Sequence, residues 1–200
     1  AGEWLQNGLG AHQVVDKYTD ELLATLPLAD SAQVEAAVVC AQAEKQNLQS
    51  WSAGKRAKML EKLADLLESK RADFVDLIVR EAGKPIGYAR SELERGVLTL
   101  RMAAAEATRF GGEYVPMDFG IGEGKIALAR RFPVGVVLGI TPFNFPLNLV
   151  LHKVAPALAV GCPIIVKPAP QAPLTTLAFA ALIEEVGYPA GAFQALVCDN

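Results

Sequence analysis

The chain has 200 residues, of which 52% are apolar and 20% charged, the composition of globular material with a core rather than of a disordered tail. A net charge of −3 and the lack of any basic stripe exclude nucleic acid as a partner. Cys40, Cys162 and Cys198 stand far apart with no C-x-x-C pairing, beside two lone histidines. Neither a disulfide framework nor a metal site is expected, and reduced thiols with no signal-peptide pattern at the start point to a cytoplasmic protein.

The first thirty residues are turn-rich, with short extended pieces such as "HQVVDKYT". Asp30 then offers a helix N-cap with Gln33 three residues on, the spacing of a capping box. Val34, Ala37, Val38 and Ala41 recur at helical spacing, so a helix is predicted to about Leu48. A second helix carries Leu60, Leu63, Ala64 and Leu67. A third carries Phe74, Val75, Leu77 and Ile78 and ends at "GKP", where Gly83 caps and Pro85 breaks. A fourth spans about Tyr88 to Phe110.

After Gly120 the pattern changes. "KIALARRF" sets Ile126, Leu128 and Arg130 against Ala127, Ala129 and Arg131, the alternation of a half-buried strand. "VGVVLGI" is a continuous apolar run, as in a strand covered on both faces. Pro146 to Ala159 reads as a helix ended by Gly161 and Pro163, "PIIVK" as a buried strand, Pro173 to Val186 as a helix, and "AFQALVC" as one more strand. Strand, helix, strand, helix, strand implies a parallel sheet with crossover helices. The expected class is therefore α/β. Residues 1–119 form a helical N-terminal part, 120–132 a strand segment, and 133–200 the start of a Rossmann-like sheet. Between Phe132 and His152 there is no charged residue, the length of a membrane span. Three prolines, two glycines and two asparagines interrupt that run, and their unpaired backbone would be stranded in lipid. A membrane span is excluded.

Open parallel sheets bind ligands at the carboxyl ends of their strands. Asn144, in "TPFNFP", lies just past the first buried strand, and Lys167 closes the second. Asn144 is either an Asx-turn residue bonded to nearby backbone or an amide aimed at a ligand. Lys167 is either a strand-end lysine reaching solvent or a ligand contact. There is no G-x-G-x-x-G after the first strand; "GITPFNFP" stands in its place.

"TPFNFPLNLVLHKVAPALAVGCPIIVKPA" resembles the start of the coenzyme-binding domain of the NAD(P)-dependent aldehyde dehydrogenase superfamily, in its lactaldehyde, glyceraldehyde-3-phosphate and succinate-semialdehyde branch. The P-F-N-F-P order matches, as do lysines nine and twenty-three residues after Asn144. "EAGKP" at Glu81 to Pro85 and "RRFPVGVV" at Arg130 to Val137 are similar to the family as well, so the likeness covers essentially the whole chain. The resemblance implies a set of roles. Asn144 would be the oxyanion-stabilising amide, and Lys153 a lysine counted with the catalytic centre. Lys167 would contact the adenosine ribose, with Ile140, Thr141, Pro142 and Phe143 lining the cofactor cleft. His152 falls where the family's substrate tunnel varies. Arg95 is similar to an arginine used near a substrate anion, or is an ordinary helix arginine paired with Glu92 or a residue near Glu94.

Many NAD-preferring relatives place Glu where this chain has Pro170, so either NAD or NADP is the expected cofactor. The family's nucleophilic cysteine, general-base glutamate and second glycine-rich turn lie further downstream than this sequence runs. The expectation is hence the N-terminal region of an enzyme that oxidises a small-molecule aldehyde to an acid through a cysteine thioester. The segment alone would be inactive, with Cys162 and Cys198 as apolar fillers. A CoA-acylating relative and a truncated binding or structural module are the alternatives. The 126–131 strand matches the family's oligomerisation hairpin and implies a homo-oligomer.

Overall fold

The computed structural model describes residues 3–199. It opens with an antiparallel hairpin of β1 (Ala11–Val15) and β2 (Leu22–Pro27). The capping box forms as expected: the Gln33 N–H donates to the Asp30 carboxylate at 2.7 Å, and Gln33 accepts from the Asp30 N–H at 2.9 Å. It starts α1 (Ser31–Ser50). Then come α2 (Ala53–Ser69), α3 (Arg71–Ala82) and α4 (Ile86–Ala107). Gly83 ends α3 with φ at 65°, a left-handed backbone that a side chain would strain.

A second hairpin joins β3 (Gly112–Val115) to β4 (Ala127–Arg130), so the pairing begins inside the stretch read from sequence as helical. It is not half-buried as expected. Tyr114, Leu128 and Ile126 are exposed, because among the described residues no other element packs closely on the ribbon.

The parallel sheet follows the predicted alternation. β5 (Val137–Ile140), β6 (Ile164–Lys167) and β7 (Phe193–Ala195) lie in that order, joined by α5 (Asn148–Val160) and α6 (Leu174–Val186). Ile164 and Val166 face a large core shared with α2 to α6, where Leu60, Leu63, Leu93, Leu151 and Phe179 are fully buried. Ile165 faces the other way, onto Ala37 and Ala41 of α1. Small residues let α1 sit close on the sheet, and Gln194 bonds the Ala37 carbonyl at 2.7 Å. The expected stripe of α1 is therefore only half used: Ala37 and Ala41 are buried, Val34 and Val38 are not.

β6 is covered on both faces, but β5 is not. Leu138 and Ile140 remain 65% and 63% exposed, since α1 packs over β6 and β7 and stops short of β5. The continuous apolar run is thus exposed on one face within this chain. Among the described residues no helix is long and apolar enough to cross a membrane.

Candidate active site

Ile140 and Lys167 are register partners at the carboxyl ends of β5 and β6. Neighbouring residues of a parallel pair share a face, so both lie on the α1 side of the sheet, which α1 covers over β6 and leaves open at β5. Thr141 ties the two ends together, its N–H donating to the Lys167 carbonyl at 3.1 Å. Beyond Thr141, the exposed Pro142, Phe143 and Asn144 stand at the rim. Pro170 is half-buried three residues past Lys167, and its carbonyl lies 2.6 Å from the His12 ring of the first hairpin. The cofactor-cleft residues expected from sequence are therefore brought to one strand-end surface.

Asn144 does not form an Asx-turn. Its side chain is exposed, and among the described residues no hydrogen bond engages it. The amide is presented outward from the loop between β5 and α5.

Lys153 lies on α5 with its stem across β5. A Cβ on Gly139 would come within 3.2 Å of the Lys153 side chain, so glycine there makes room for it. The ammonium turns back toward the start of α5, 3.5 Å from the Leu149 carbonyl. His152, the residue before, points away from the sheet. It lines an apolar groove of about 560 Å³ between α4 and α5 with Met102, Phe110 and Pro156. His152 and the Asn144 rim are thus not assembled into one cluster within this chain.

Arg95 is not an ordinary surface ion pair. Glu94 pairs instead with Arg71 at 3.1 Å, and the Arg95 guanidinium sits 5.4 Å from the ring centre of Phe145, next to Asn144. Lys84 approaches the same ring at 3.6 Å. Two cations thus converge on the ring of the residue that follows Asn144.

Two buried glutamates were not singled out from sequence as site residues. α5 and α6 start without any side-chain cap of their own. Glu92 of α4, fully buried, accepts from the Leu147 and Asn148 N–H groups at 2.9 and 3.1 Å and pairs with Lys84. Glu81 of α3, also fully buried, accepts from the Leu174 and Thr175 N–H groups, both at 2.7 Å, and from the Thr175 hydroxyl. A carboxylate at an orphan helix N-terminus meets both free N–H groups and the positive end of the dipole. Burial nonetheless pushes the Glu81 carboxyl above its ordinary range, against the pull of those three donors. A signal for both exists in the sequence: Glu81 falls on the Phe74–Ile78 stripe and Glu92 on the Ala89–Gly96 stripe, where an unpaired charge would be costly.

Cys162 is fully buried at the amino end of β6, the end away from Asn144 and Lys167, consistent with a filler.

The same arrangement recurs in known proteins. The profile of the aldehyde dehydrogenase family matches residues 4–200. A 3-sulfolactaldehyde dehydrogenase of Priestia megaterium is 41% identical over 200 residues, covering all of this chain and 41% of that protein. The chain therefore spans about two-fifths of the length of the curated relatives it matches. Aldehyde dehydrogenase 21 of Physcomitrella patens, solved with its reaction product succinate, superposes with a TM-score of 0.95 at 34% identity, over 100% of this chain and 42% of that one. An NADP-dependent glyceraldehyde-3-phosphate dehydrogenase of Bacillus halodurans, solved with NADP, gives 0.93 at 31% identity over 99% of this chain and 42% of that one. Sequence, strand order and strand-end geometry agree: this chain belongs to the aldehyde dehydrogenase family.

Proposed function

We propose that the segment is the N-terminal part of an NAD(P)-dependent, non-acylating aldehyde dehydrogenase, to which it contributes the oxyanion donor and the adenosine side of the cofactor site. The observation that carries this reading is the outward, unengaged amide of Asn144 in the loop that leaves β5, whose last residue Ile140 is the register partner of Lys167. The donor set there fits a dinucleotide: one half-buried ammonium suits ribose hydroxyls, and exposed Ile140, Pro142 and Phe143 suit flat apolar rings. NAD or NADP, when bound, supplies the acceptor for the aldehyde hydride. A cysteine from the part of the family's length beyond this segment adds as thiolate to the aldehyde carbonyl. The carbonyl oxygen then takes up a full negative charge, which the Asn144 N–H stabilises without protonating the nearby thiolate. Water rather than CoA releases the acid.

The substrate class is read from Arg95, the exposed cation at Phe145. Arg95 stands on the rim at Phe145 with an exposed guanidinium, a geometry that suits an aldehyde carrying a carboxylate, sulfonate or phosphate. Three relatives are named for or solved with such molecules. The exposed β3–β4 ribbon, apolar on Tyr114 and Leu128, is where a second copy would pair to form a homo-oligomer. The test is turnover by the full-length protein of anionic and neutral aldehydes of matched size, followed by reduced nicotinamide. Arg95→Met is expected to lower kcat/KM for the anionic aldehyde about tenfold to hundredfold, the worth of a charged hydrogen bond, and to spare the neutral one. Equal losses on both would remove Arg95 from the substrate site; no turnover with either cofactor would sink the reading as a whole.

A further inference from the structure

Nothing bonded to the Asn144 amide aims it, so its direction is inherited from the loop that carries it. Residues 141–147 have no regular structure and hold two prolines, Pro142 and Pro146, which donate no backbone hydrogen bond. The start of the loop is held by Thr141 on Lys167. Its end is held from a different element altogether. One oxygen of the buried Glu92 takes two consecutive N–H groups, those of Leu147 and Asn148. The other takes the Lys84 ammonium, whose own side chain is only 15% exposed. That ammonium in turn lies 3.6 Å over the face of Phe145, the residue next to Asn144.

A buried ion pair is a poor source of stability. Replacing one with apolar residues of equal volume is often neutral or better. What this pair supplies is direction. Two adjacent N–H groups on a single oxygen set the rotation of the first turn of α5. A cation over the ring fixes Phe145 and hence the peptide that joins it to Asn144. We propose that Lys84 and Glu92 form a brace that positions the Asn144 amide, so that "EAGKP" and "SELE", far upstream, act on the chemistry without touching substrate. The proposal rests on the oxyanion role of Asn144.

The test uses the full-length enzyme and two single variants. Glu92→Gln keeps the volume but cannot serve both backbone N–H groups and the ammonium, since one end of the amide is itself a donor. Lys84→Met keeps the apolar stem and removes the cation from both partners. Each is expected to lower kcat about tenfold to hundredfold, the scale of a misaimed catalytic group, with the NADP dissociation constant unchanged. Lys84→Arg, which keeps a cation for the carboxylate and the ring, recovers most of the loss. The decisive readout is the cycle with Asn144→Ala: once the amide is gone, Glu92→Gln and Lys84→Met cost no further kcat. Losses that multiply in the double variants, or a Lys84→Met enzyme as fast as the parent, overturn the brace and leave the role of Asn144 standing. A normal kcat for the Asn144→Ala single variant overturns the oxyanion reading, and the brace falls with it. Should Glu92→Gln fail to fold, the two Lys84 variants complete the cycle alone.

Discussion

Asn144→Ala separates an amide that acts on substrate from one that holds a turn. In the folded chain the Asn144 side chain is exposed and, among the described residues, makes no hydrogen bond, so its removal breaks no native hydrogen bond and leaves no buried group unpaired. The expected change in melting temperature is therefore close to nil, as for surface substitutions generally. The transition state is different. If Asn144 is the proposed oxyanion donor, a preorganised donor of that kind is worth about 2.7–4 kcal/mol, or roughly 10²–10³ in kcat. Asn144→Asp sharpens the test, because it keeps the shape and replaces the donor with a negative charge. Its kcat is expected to fall at least as far as that of the alanine variant. The assay is steady-state turnover of the full-length enzyme at saturating NAD or NADP, with cofactor affinity and thermal unfolding measured in parallel. A near-normal kcat for Asn144→Ala, or a loss that tracks unfolding, would refute the reasoning and return Asn144 to a structural turn.

Three further outcomes are expected. Lys167→Ala should weaken cofactor binding by about 1.5–3 kcal/mol, roughly tenfold to hundredfold, with little effect on aldehyde affinity; unchanged dissociation constants for both NAD and NADP would remove Lys167 from the site. Pro170→Glu should move the kcat/KM ratio toward NAD, because a carboxylate there would repel a 2′-phosphate; a ratio that stays put or moves toward NADP means residue 170 does not face the ribose. Glu81 provides a pH signature: with its carboxyl raised by burial, the folded chain holds that proton more tightly than the unfolded one. Its contribution to stability is fully present below the unfolded value of about 4.3 and is lost as pH rises through the higher folded value. The urea midpoint of the wild type should thus lose ground to Glu81→Gln as pH increases across that window. A gap that instead moves in favour of the wild type would show that its three hydrogen-bond donors outweigh desolvation.

Much of this molecule is written in local chemistry. The α1 capping box, the αL glycine that ends α3, and the breakers at Gly161 and Pro163 all act within a few residues, and their outcomes matched the expectation. The strand–helix alternation after Val137 likewise forced a parallel sheet, because crossovers of that length permit little else. The spacing of Asn144, Lys153 and Lys167 pointed to the family, which the family match bears out. Burial was harder to read. An apolar run reports what a strand tolerates, whereas coverage depends on which helix arrives: α1 reaches β6 and leaves Leu138 and Ile140 open, and among the described residues no helix packs closely on the β3–β4 ribbon. The helix starts beside the site show the same limit. No residue near Asn148 or Leu174 caps α5 or α6, so a search along the chain finds nothing there. Their caps are Glu92 and Glu81, brought in from 55 and 93 residues away by the packing of α4 and α3. The sequence by itself determined most of the elements and their order, and it singled out Asn144 as the candidate amide. Only the tertiary structure decided what caps the helices on either side of β6, because a buried carboxylate finds its N–H partners through space once the layers have closed, and no local periodicity records the pairing.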